Sequence, residues 1–108
     1  MDEHFKNKID AEIKKNKILL FVKGTKDFPM CGFSAATINV FKQIGKPFET
    51  VDILSDPDIR QGMKEYSNWP TFPQVYVNGN FIGGCDIVTE MYNNGELQKI
   101  VQDTFAGN

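Results

Sequence analysis

Phe5, Ile9 and Ile13 recur at four-residue intervals in "MDEHFKNKIDAEIKKN", with lysines and acids between them. That spacing gathers them on one face and predicts an amphipathic opening helix. "KILLFVKG" follows, apolar on consecutive positions and closed by Gly24, as a strand buried on both faces at the centre of a sheet would be. After the loop "KGTKDFPM", apolar positions from Gly32 to Ile44 predict a second helix, ended by Gly45 and Pro47. "PFETVDI" alternates loosely enough for a strand. "SDPDIRQGMKEYSN" then carries a helix start, with Ser55 or Asp56 as cap and Pro57 in the first turn.

Gln74–Val77 and Asn80–Ile82 predict two strands joined by Asn78-Gly79, the strongest two-residue hairpin signal. Helical patterning returns at Asp86, breaks at Gly95 and resumes through Leu97, Ile100, Val101 and Phe105. The expectation is one α/β domain over 1–108: a four-stranded mixed sheet flanked by helices, two strands linked by a crossover and two by a tight turn.

Composition narrows the function more than the fold. The 108 residues are 41% hydrophobic and 24% charged, ordinary for a single globular unit. The longest apolar run, Ile18 to Val22, falls far short of the roughly 20 residues needed to cross a bilayer, so no membrane span is expected. A net charge of −2 without a basic stripe argues against nucleic acid. Asp2, Glu3, Asp10 and Glu12 argue against a secretory signal or an acid-poor transit peptide. With Met1 at the start, the expected location is the cytoplasm, an organelle matrix remaining open. Two cysteines, at 31 and 85, make no disulfide framework, so free thiols in a reducing compartment are expected.

The candidate chemistry sits in "PMCGFS". Cys31 stands at the mouth of the second helix, where unpaired N–H groups and the helix dipole favour thiolate. The dipole supplies roughly 0.3–1 kcal/mol against about 1.4 kcal/mol per pKa unit, so a neighbouring cation is also required. Lys23, just past the first strand, is the candidate, against the alternative of a solvated surface lysine. Ser34 cannot resolve a disulfide; the preferred reading is a hydrogen bond within the first helical turn. Phe33 either covers the thiol and a partner surface or packs into the core. Gly83-Gly84 permits close backbone approach, and Cys85-Asp86 opens a helix whose N–H groups suit a carboxylate, or else Asp86 merely caps it. Arg60 and Lys64, one turn apart, share a helix face, the ordinary place for a solvated charged pair. His4 reads as a surface residue. Trp69 is expected to pack between sheet and helix, its N–H needing a partner.

"CGFS" at 31–34, "WPTFPQVYVNG" at 69–79 and "GGCD" at 83–86, with "FVKGT" before them, resemble the monothiol, CGFS-type glutaredoxins over residues 4 to 103. The resemblance implies a thioredoxin-like fold and a glutathione groove. In it, Lys23 reaches the cysteine and its thiol ligand, and Arg60, with Lys64 beside it, contacts the glycyl carboxylate. Phe72 becomes a main-chain clamp beside a cis Pro73, and Asp86 lies near the γ-glutamyl amine. Cys85 makes backbone contacts or pairs in redox chemistry. Two departures stand out: Lys26, where many relatives have proline, should loosen its loop, and Phe72, in place of isoleucine or valine, should enlarge an apolar contact.

The resemblance further implies a [2Fe–2S] cluster carrier, with Cys31 as metal ligand. A cluster takes four thiolates, met by Cys31 from two chains and two glutathiones. A competing set uses Cys85 from both chains. Such a protein is a homodimer with cluster and a monomer without, and works with BolA-like proteins and iron–sulfur recipients. The alternatives are a monothiol oxidoreductase acting on protein–glutathione mixed disulfides, and a cluster-free binding module.

Overall fold

The computed structural model describes residues 2–107, so Met1 and Asn108 of the expected domain lie outside the described residues. Helix α1 (Glu3–Lys15) opens on Asp2, whose side chain accepts the His4 N–H. Strand β1 (Ile18–Val22) follows, then α2 (Gly32–Ile44), β2 (Glu49–Asp52), α3 (Pro57–Ser67), β3 (Gln74–Val77), β4 (Asn80–Gly83), α4 (Cys85–Asn93) and α5 (Glu96–Ala106). These match the expected elements to within a few residues at their ends. Asp56 caps α3 with Pro57 in its first turn. Asn78 and Gly79 both have positive φ, 53° and 80°, as a tight hairpin of this hand requires.

The sheet runs in the order β2-β1-β3-β4. β1 pairs parallel with β2 and antiparallel with β3, and β3 pairs antiparallel with β4. Every residue of β1 is buried, as its unbroken apolar run predicts for a central strand covered on both sides. Alternation then divides the run between two cores. Ile18, Leu20 and Val22 join Ile38, Phe41, Val88, Leu97 and Val101 beneath α2, α4 and α5. Leu19 and Phe21 join Ile9, Ile13, Met63 and Tyr76 beneath α1 and α3.

This topology assembles the functional end of the sheet. β4 is antiparallel to β3, which is antiparallel to β1, so β1 and β4 finish at the edge where β3 begins. The loop 23–31, the segment 69–73 and the turn 83–86 therefore meet. β2 runs parallel to β1, and α3 starts from the same edge. Among the described residues no helix is long and apolar enough to cross a membrane.

Candidate functional site

Gly24 sets the geometry of the loop before the cysteine. Its φ of 97° is one that side chains rarely adopt, and a Cβ there would meet the Phe28 carbonyl and the Met30 amide. The freed space lets the loop close on itself. Thr25 N–H donates to Phe28 O at 3.2 Å, and Met30 N–H donates to Lys23 O at 2.8 Å. Phe28 N–H donates to Thr25 Oγ1 at 3.1 Å. The turn is firm, and it holds Phe28 and Met30 out to solvent, 78% and 71% exposed.

The expectation that Lys26 loosens this loop fails. Its side chain hydrogen-bonds the Phe48 carbonyl and lies over the Phe48 ring at 4.3 Å, so the lysine fastens the loop to the start of β2 by charge and stacking instead of by ring rigidity.

Cys31 is the N-cap residue of α2, in extended conformation. As a thiol it closes no capping hydrogen bond, because neutral sulfur is a weak acceptor. The anion is a different matter. The Ser34 N–H, which outweighs the opposing effect of burial, and after it the Phe33 N–H and the charge of Lys23, hold the Cys31 thiol below its ordinary range. The sequence argument named unpaired N–H groups and the helix dipole, and required a cation besides. The structure puts a directed backbone N–H first and the cation behind it, because a specific short-range donor outweighs both a diffuse dipole and a screened charge.

Ser34 does more than expected. It is fully buried, and its Oγ accepts the Lys23 N–H at 3.1 Å. The hydroxyl ties the first turn of α2 to the end of β1, eleven residues back, and within its own turn adds the smallest of the influences that favour the Cys31 thiolate. Phe33 is 62% exposed, which rules out core packing.

One cleft of about 440 Å³ collects the expected site. Its lining includes Lys23, Cys31, Arg60, Phe72, Cys85 and Asp86, together with Lys64. Lys23 is half-buried, not a freely solvated lysine. Asp86 lies in the first turn of α4, whose N-cap is Gly84, so the alternative that Asp86 is the cap itself is excluded. Phe72-Pro73 is a cis peptide bond. The Phe72 ring is buried with the α1–α3 core, the enlarged apolar contact expected of it. A Cβ on Gly84 would lie 3.3 Å from the Pro73 carbonyl, so glycine there lets the entry to α4 pack against that wall. Cys31 and Cys85 are both free thiols, and Cys85 Sγ lies 3.9 Å from Thr89 Oγ1.

Sequence reasoning missed two features. Trp69 lines the cleft and meets the Phe81 ring edge-on at 5.6 Å, but its indole N–H is buried and finds no partner among the described residues. A second groove runs from Cys31 between α2 and α4, lined by Phe33, Ala36, Cys85, Thr89 and Glu90. Helical spacing around Ala36 and Thr89 carried the only signal for it.

The glutaredoxin family profile, described as Glutaredoxin, matches residues 18–82. The chain is 53% identical to an uncharacterized monothiol glutaredoxin ycf64-like of Synechocystis sp., over 98% of this chain and 99% of that one. It is 50% identical to glutaredoxin 4 of Escherichia coli strain K12, over 92% and 86% of the two chains. Among solved structures, reduced poplar apo GrxS14 superposes with a TM-score of 0.84 at 50% identity, covering 94% of each chain. With its thioredoxin-like fold and its single cysteine in the 31–34 motif, the chain belongs to the glutaredoxins, among their monothiol members.

Proposed function

We propose that the protein carries [2Fe–2S] clusters as cargo, each held between two copies by Cys31 of each chain and by two glutathione molecules. The observation that carries the reading is the setting of Cys31: a half-exposed sulfur whose anion is favoured, in a cleft with cations on one wall and an acid on another. Among the described residues no three His, Cys, Asp or Glu side chains converge to hold a metal. A cluster of this type takes four thiolates. One chain offers Cys31, so the rest come from a twin chain and from small thiols.

The cleft suits a tripeptide with a carboxylate at each end, and its size falls within the roughly 300–1,000 Å³ of ligand sites. Arg60 and Lys64, one turn apart on α3, would face the glycyl carboxylate. The first N–H groups of α4 would take the γ-glutamyl carboxylate, with Asp86 beside the amine. Backbone at Phe72 would pair with the extended middle of the peptide, and Lys23 would offset charge gathered at the sulfurs. Cys85 stands at the entry to α4 and serves that backbone contact, not the metal.

Parting the two copies opens the set of sulfurs at once, which suits hand-over to an iron–sulfur recipient or exchange with a BolA-like partner. The apo form is then a monomer and the loaded form a homodimer. The location is the cytoplasm, with an organelle matrix as the alternative.

A second reading, monothiol exchange, draws on the same favoured thiolate. Cys31 attacks the glutathione sulfur of a protein–glutathione disulfide and the protein thiolate leaves. A second glutathione thiolate then attacks the mixed disulfide, releasing oxidised glutathione and restoring Cys31. Visible absorbance and size of anaerobically purified protein, with and without glutathione, separate the two. A coloured dimer dependent on glutathione supports the carrier. A colourless monomer with brisk turnover on glutathione mixed disulfides overturns it.

A further inference from the structure

A recess between α1, α3 and β2 shares no lining residue with the Cys31 cleft. It measures about 920 Å³. Its floor is apolar, formed by Leu19, Phe21, Val51 and Ile59, all belonging to or packed on the second core. One side of the recess is β2, an edge strand by the order β2-β1-β3-β4; of its outward-facing carbonyls, those of Phe48 and Asp52 are engaged by Lys26 and Ser55, and Thr50 is left to present its backbone groups to a further strand.

The charge is lopsided. β2, the α3 N-cap and α3 contribute Glu49, Asp56, Asp58 and Glu65 and no cation to the lining, while across from them α1 contributes Lys8, Glu12 and Lys15. Asp56 is already engaged, accepting the Asp58 N–H at 2.9 Å. Glu49 lies 3.9 Å from Lys26 with its side chain mostly exposed, a pairing too loose and too hydrated to cancel its charge. Negative potential therefore runs along the side where an added strand would lie.

We propose that this recess is a second binding site, for an extended basic segment of a partner protein, in which apolar side chains alternate with lysine or arginine. Backbone pairing to β2 would set its direction. Apolar anchors would settle over Val51 and Ile59, and the cations would meet Glu49, Asp58 and Glu65. This is strand addition with pockets for alternate side chains, with charge complementarity selecting the partner. Acidic segments would be repelled along the same wall. α3 separates the recess from the Cys31 cleft: Ile59 and Gly62 line one, Arg60 and Lys64 the other. Both sites can thus be filled together, and a partner could dock here while the thiol remains engaged.

The test uses the full chain and a labelled nine-residue peptide alternating arginine with leucine. Its controls are the glutamate–leucine counterpart and a peptide of the same composition with the leucines in one block. Fluorescence anisotropy should give about tenfold tighter binding for the alternating basic probe than for either control. The backbone amides of Thr50 and Asp52, on the outer side of β2, should gain exchange protection. The double variant Glu49→Lys, Asp58→Lys should weaken binding about fivefold or more, with the Cys31 alkylation rate unchanged as a check on folding. Equal binding of the probes, unchanged binding by the variant, protection mapping to the Cys31 cleft, or self-association of the chain through residues 49–52 would each overturn the proposal.

Discussion

Replacing Ser34 by alanine tests how the lone thiol is held. The hydroxyl is fully buried and is the acceptor for the Lys23 N–H at 3.1 Å. Removing it strands that donor at the junction of β1 and α2, and an unsatisfied buried group costs about 1–3 kcal/mol. Lys23 is only half-buried, so water can partly replace the lost partner, and the lower half of that range applies: about 1–2 kcal/mol, or a fall in Tm of roughly 5–15 °C for a domain of this size. The thiol should respond much less. The leading influence on Cys31 is the Ser34 backbone N–H, and the Ser34 hydroxyl comes last among the causes. The substitution keeps the first and removes only the last. Urea unfolding reads the stability, and the pH profile of Cys31 alkylation in a Cys85→Ser background reads the thiolate. Wild-type stability for Ser34→Ala would refute the tie between α2 and β1. A large upward move of the alkylation midpoint would refute the ranking of backbone over side chain.

Gly24→Ala should cost roughly 2–4 kcal/mol in urea unfolding, since the new Cβ meets the Phe28 carbonyl and the Met30 amide at a φ of 97°. Phe41→Ala, removing a fully buried ring from the larger core, should cost about 3–5 kcal/mol, without shifting the alkylation profile of Cys31. Tyr66 donates its hydroxyl to Asp10 at 2.6 Å, and burial raises its pKa to about 12. The folded value lies above the unfolded one, so the neutral phenol's stabilisation is complete below about pH 10 and is lost as pH rises toward 12. Wild type should therefore lose stability across that window more steeply than Tyr66→Phe, and parallel curves would contradict the assignment. Arg60→Ala and Lys64→Ala should each weaken glutathione binding, read by calorimetry, about two- to fivefold, as for partly solvated charge contacts.

Most of the fold was legible because its signals are local. The unbroken run at 18–22 placed the central strand, Asn78-Gly79 placed the hairpin, and Asp56-Pro57 placed the start of α3. The gathering of the candidate residues in one cleft was legible for a related reason: Lys23, Cys31, Phe72, Cys85 and Asp86 lie in the segments that leave or enter strands at one edge, while Arg60 and Lys64 reach the cleft from α3. Contacts reaching across the chain were not legible. Nothing in "CGFS" says that Ser34 bonds to Lys23, because that partner depends on how α2 is laid against β1. Lys26 looked like a loosening substitution until Phe48 stood beneath it. The order of influences on Cys31 likewise depends on where the Ser34 N–H points, whereas sequence could weigh only a generic dipole against a generic charge. The recess beside β2 left no motif, since its walls come from three segments and its character from the strand order.

Iron and sulfide content after anaerobic reconstitution with glutathione, compared between wild type, Cys31→Ser and Cys85→Ser, bears most directly on the central claim. The account predicts one cluster for each pair of chains in wild type and in Cys85→Ser, and none in Cys31→Ser. Retention of the cluster by Cys31→Ser, or its loss from Cys85→Ser alone, would contradict it.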